Sequence, residues 1–84
     1  MLMHWLHKVE VANKTEVKKV EELAKRYMAE FRKGKPHGKP GEFRYDCFVD
    51  AEPFGGRDKL RDKVMREIPG AKVAGTLYNG VKPV

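Results

Sequence analysis

Residues 43–52 read FRYDCFVDAE, and their alternation decides how the chain folds. Phe43, Tyr45, Cys47 and Val49 share one parity, while Arg44, Asp46, Asp50 and Glu52 share the other, with Phe48 the one break. Side chains on a strand point to opposite faces in turn, so this pattern predicts a strand with one face on a core and one toward water. Everything on either side of it must supply that core.

Downstream, Pro53 stops the strand and Gly55-Gly56 lead into a helix whose Leu60, Val64 and Ile68 fall four apart, closed by Pro69-Gly70. The tail AKVAGTLYNGVKPV predicts a strand over about residues 72 to 78. There Asn79-Gly80 form a hairpin turn, and a short strand at 81–84 is held to an edge by Pro83.

Upstream lies RKGKPHGKPGEFR, residues 32–44, which contains a predicted basic Gly/Pro loop at 33–42. Before it, Asn13 followed by Glu16 resembles a capping box, and Val17, Val20, Ala24, Tyr27 and Phe31 step by three and four, predicting a helix that runs to Gly34. Before that, Met3, Trp5, Val9 and Val11 alternate with His4, Lys8 and Glu10, the mark of a half-buried strand. His7 falls on the apolar parity, as a partly buried strand histidine would.

The predicted order is β-α-β-α-β-β. With right-handed crossovers both helices cover one face of a three- to four-stranded sheet, giving an α/β (α+β) two-layer sandwich over residues 1–84, a single small domain. The uncovered face then carries His4, Lys8, Asp46, Asp50 and Glu52.

Composition narrows the function classes. The net charge of +6 is unevenly spread: residues 14–44 and 57–84 carry excess cations around an acidic waist at 45–56. Such segregation favours nucleic acid or an acidic protein as partner. The lone Cys47 allows no internal disulfide and suits a reducing compartment. No apolar run approaches the roughly 18 residues of a membrane span, so the expectation is a cytoplasmic protein without a membrane partner. Oligomeric state, a dimer included, is left open.

On the first helix Lys18, Lys25 and Arg32 lie seven apart, as do Lys19, Arg26 and Lys33, giving two rows of cations that continue into Lys35, Lys39 and Arg44. Phosphates along a strand suit such rows, because each neutralising cation releases a condensed counterion. The plainer reading is a solvated helix laced by pairs such as Lys18–Glu22. Arg57, after Gly55-Gly56 at a helix start, could hold a phosphate, although Asp58 opposes it and the spacing fits no phosphate-loop pattern. Phe48, amid charges on the outer sheet face, could anchor a base or a partner protein, with Tyr78 and Phe54 as further exposed aromatics; Trp5, Tyr27, Phe31, Phe43 and Tyr45 are expected in the core.

Asp46, Asp50 and Glu52 could together hold a divalent ion for phosphodiester cleavage, but no positioned base or lysine accompanies them, so no metal, cofactor or catalytic activity is expected. Residues 11–23, VANKTEVKKVEEL, are similar to the capped start of a helix in the L23 family of ribosomal proteins, small rRNA-binding α/β domains. The likeness ends there, the later strand and helix having no counterpart, and no residue role is carried over from it. The expected function is non-enzymatic binding of nucleic acid through its phosphates. The alternative is a small inhibitor or adaptor, of the kind phages and mobile elements encode, that docks on a host protein or nucleoprotein complex.

Overall fold

The computed structural model describes the backbone of residues 2–82 and the side chains of residues 6–73. Strand β1 (Leu2–Val11) is followed by helix α1 (Lys14–Arg26), strands β2 (Phe31–His37) and β3 (Arg44–Val49), a 3-10 turn (Glu52–Phe54), helix α2 (Arg57–Glu67) and strand β4 (Lys72–Lys82). The sheet order is β2-β3-β1-β4, with every neighbouring pair antiparallel. This is a small α+β domain, two helices on one four-stranded sheet, with the connectivity of the split β-α-β sandwich.

Register explains the layering. Val9 pairs with Cys47 and His7 with Val49, so the odd residues of β1 and β3 share a face. That face meets Val17, Val20, Leu23 and Ala24 of α1 and Leu60 and Val64 of α2 in one buried cluster. Burying a Val or Leu side chain contributes about 1.5–3 kcal/mol, so this cluster is the main support of the fold. The Asn13 Oδ1 accepts from the Glu16 N–H at 2.9 Å, and Glu16 Oε1 accepts from the Ala12 N–H, so the expected cap forms with Glu16 reaching one residue further back.

The first helix ends earlier than its stripe implies. The Ala29 N–H bonds the Ala24 carbonyl and the Met28 N–H the Lys25 carbonyl, the paired bonds of a Schellman stop, with Met28 in the left-handed region at φ 53°. Phe31 therefore reaches the core from a strand. With this the order becomes β-α-β-β-α-β, and residues 33–37 of the expected basic loop are strand, leaving 38–43 as the turn between β2 and β3.

The second difference is at the other end. Asn79 pairs with Trp5, Gly80 with His4 and Val81 with Met3, so β4 runs straight through the expected hairpin turn. A ten-residue β1 offers partners along this whole length, and that continuous ladder outweighs the local turn preference. Pro83, Val84 and the side chains of Met3, His4, Trp5 and Tyr78 lie outside the described residues.

Candidate functional site

Strand β2 is an edge of the sheet and carries the densest net positive charge, with Arg32, Lys33 and Lys35 and no acid in its seven residues. Between Lys33 and Pro36 its register with β3 shifts by one residue, a bulge centred on Gly34 and Lys35. Gly34 suits the close approach there: a Cβ would lie 3.0 Å from the Asp46 carbonyl oxygen and 3.1 Å from Phe48 Cε2, so both would have to give way. Lysines, a proline and a bulge also keep an open edge from pairing with another chain, so part of this composition serves the fold.

Lys33 and Pro36 pair with Cys47 and Tyr45, which places them on the helix side of the sheet. Beside them stands the first turn of α1. Together Lys14, Val17, Lys18, Lys33, Gly34, Pro36, Tyr45 and Asp46 line a groove of about 470 Å³. Val17, Pro36 and Tyr45 make it apolar, and three lysines rim it. The single acid, Asp46, has its carboxylate on His37 Nε2 at 3.1 Å.

Several arginines, by contrast, are held in ion pairs. Arg44 Nε donates to Glu10 Oε1 at 2.6 Å, and Arg32 Nε donates to Glu30 Oε2 at 2.8 Å. Arg26 pairs with Glu67, joining α1 to α2 across an exposed gap. Among the described residues Lys14, Lys18, Lys33, Lys35 and Lys39 belong to no ion pair. Lysine rather than arginine thus supplies the unneutralised charge around β2.

The uncovered face of the sheet holds a second arrangement. Phe48 pairs with Lys8 on one side and Arg32 on the other, half-buried between the two cations, as the alternation of β3 implies. Further along, one ligand atom each from Glu10, His37 and Asp46 fall within 4.8 Å of one another. Arg44 sits in this cluster and, with His37 and Lys72, holds the Glu10 carboxyl below its ordinary range, chiefly by its hydrogen bond. The cluster already contains its own cation, Arg44, which pairs with the Glu10 carboxylate.

The acidic trio expected from β3 is not assembled. Asp50 is buried, its Oδ1 accepting from the Glu52 N–H in the turn that leaves β3, and only Asp46 faces the open sheet. Phe54 is likewise buried, stacked on Tyr27 at 4.3 Å between ring centres, whereas Phe43, expected in the core, is 44% exposed in the β2–β3 turn. Cys47 is buried as expected, and desolvation pushes its thiol up to about 12, so it is no nucleophile.

The sequence-derived site residues therefore separate. Lys18, Lys33 and Lys35 gather around β2, with Lys39 in the turn beyond its end; Arg32, Arg44 and Phe48 share the opposite sheet face; Lys25 is exposed in the last turn of α1. Arg57 stands apart, lining a shallow pocket with His7, Asp50, Glu52 and Gly55-Gly56. Sequence reading missed Lys14, Pro36 and Tyr45, because the groove they line exists only once residues 31–37 form a strand beside α1. Among the described residues no helix is long and apolar enough to cross a membrane. Comparison with protein-family models, curated proteins and solved structures finds no match to this chain, so the ribosomal likeness of residues 11–23 gains no support and function is argued from the site alone.

Proposed function

We propose that this protein is a non-enzymatic nucleic-acid-binding module that holds phosphates along the β2 edge. The observation that carries the reading is the set of lysines there without ion pairs, Lys14, Lys18, Lys33, Lys35 and Lys39, on a chain of net charge +6. An unpaired lysine needs no internal salt bridge broken before it meets a phosphate, and its counterion is released on contact. Arg32 and Arg44, each held by a carboxylate, would contribute less.

The test is a salt titration of binding to mixed single-stranded and duplex oligonucleotides of about 16 nucleotides. Five phosphate contacts on a single strand give a log–log slope of roughly −3 to −4. Absence of binding to every oligonucleotide at low salt would reject the reading. It would favour the other one, a small inhibitor or adaptor that docks on a partner protein.

A further inference from the structure

The groove between α1 and β2 has a shape and chemistry that a simple phosphate track does not need. Val17, Pro36 and Tyr45 form its apolar floor and Lys14, Lys18 and Lys33 bring its cations, with Asp46, held by His37, the one acid in the lining. A row of lysines on a convex helix would hold phosphates equally well, without an apolar hollow beneath them. At about 470 Å³ the hollow falls within the range of small-ligand pockets.

The occupant must therefore be flat and apolar in one part and anionic in another. A nucleotide of a single strand has both parts. Its base has a face that stacks on an aromatic ring whatever its sequence, and its phosphates lie on either side of that base. A duplex offers only the phosphates, since its bases are stacked inside, and would leave the floor wet.

We infer that this groove is a subsite for one unpaired nucleotide of a single-stranded nucleic acid, the base lying against Tyr45 and Pro36 and the adjoining phosphates on Lys14, Lys18 and Lys33. The inference rests on the nucleic-acid reading and adds to it a strand state and a contact for the base. Tyr45 is packed against the core by its other side, so the ring is already fixed before a base arrives. Val17 lines the groove, which makes its methyl groups reporters of occupancy.

The experiment has two arms on the full chain. In the first, binding of single-stranded DNA, single-stranded RNA and a duplex of the same length is measured for the wild type, Tyr45→Phe and Tyr45→Leu. Stacking of about 1–3 kcal/mol per base converts, at 1.4 kcal/mol per tenfold, to about 5- to 140-fold. Tyr45→Leu should weaken single-strand binding by about tenfold while leaving duplex binding and the salt slope unchanged, and Tyr45→Phe should bind as the wild type does. In the second, the wild type is titrated with adenosine monophosphate or inorganic pyrophosphate while the Val17 methyl and Tyr45 ring resonances are followed. The nucleotide should shift both and pyrophosphate should leave them in place.

If oligonucleotides bind with the expected salt dependence but Tyr45→Leu binds the single strand as tightly as Tyr45→Phe does, the subsite is wrong and the phosphate track stands. If Tyr45→Leu fails to fold, the resonance arm decides, and Val17 methyls unmoved by the nucleotide overturn the inference. If no oligonucleotide binds the wild type, the nucleic-acid reading itself falls and takes the subsite with it.

Discussion

Arg44 reaches from β3 to β1 to donate its Nε–H to Glu10 Oε1 at 2.6 Å, across the sheet face that no helix covers. The pair is part-buried, with side-chain exposures of 32% and 22%, so it is screened less than a surface bridge. Replacing Arg44 by Ala leaves a half-buried carboxylate without its donor and should destabilise the fold by about 1–2 kcal/mol in urea unfolding at neutral pH. Because the folded state holds Glu10 below its ordinary 4.5, the contribution is present above that value and is lost as the pH falls through the lower folded one. The wild-type and variant curves should therefore converge in acid; a gap that persists or widens there would show that Arg44 acts by packing alone.

Met28 occupies a left-handed conformation that glycine adopts without cost, and its side chain is 92% exposed. The backbone strain is about 1–2 kcal/mol, and the extra freedom glycine gives the unfolded chain returns about half of that. Met28→Gly should stabilise by about 0.5–1 kcal/mol and raise Tm by a few degrees. A lower Tm would mean that the methionine makes a contact the fold depends on.

His7 is half-buried on β1, with its Nδ1 buried and lacking a hydrogen-bond partner. Desolvation first, then the charge of Arg57, lowers its pKa from 6.5 against the opposing pull of Asp50. The unfolded chain then takes up this proton at a higher pH than the folded one. Stability from this residue is complete above 6.5 and is lost as the pH falls toward the folded value. Denaturant unfolding between about pH 5 and 8 should show a flatter dependence for His7→Leu than for the wild type. Parallel profiles would refute the shift.

For the β2 edge, Lys35→Ala combined with Lys39→Ala should lower the salt slope of single-strand binding by about 1–2 units with Tm unchanged. Lys59→Ala with Arg66→Ala, exposed on α2, is the matched loss of charge and should alter the slope less. Equal effects from the two pairs would mean that net charge, not this edge, attracts the polyanion.

Much of the architecture could be read from single stretches. The alternation from Tyr45 to Val49, the Asn13 cap and the spacing of Leu60, Val64 and Ile68 each match the element formed. Strand β2 could not be read, for two physical reasons. Its own residues FRKGKPH have no alternation to report, and the stop before it depends on a methionine taking a conformation usually left to glycine. The groove shared that fate, since Lys14 and Tyr45 meet only through that strand. Lys33 and Lys35 were legible as charge, but their place on an edge was not. Asn79-Gly80 misled for the opposite reason, a strong local signal overruled by a partner strand far away in sequence.

The position of β1 between β3 and β4 governs how the chain can assemble. β2 and β3 are joined by a short turn and can pair as soon as both exist, whereas β1, made first, needs β3 on one side and the last strand on the other. Its ladder with β4 closes a loop that spans nearly the whole domain, and such closures are entropically late events. A nascent chain that has emerged only as far as α2 holds one flank of β1 open. Completion of the sheet thus waits for β4, and folding of the domain becomes a single cooperative step once that strand is available.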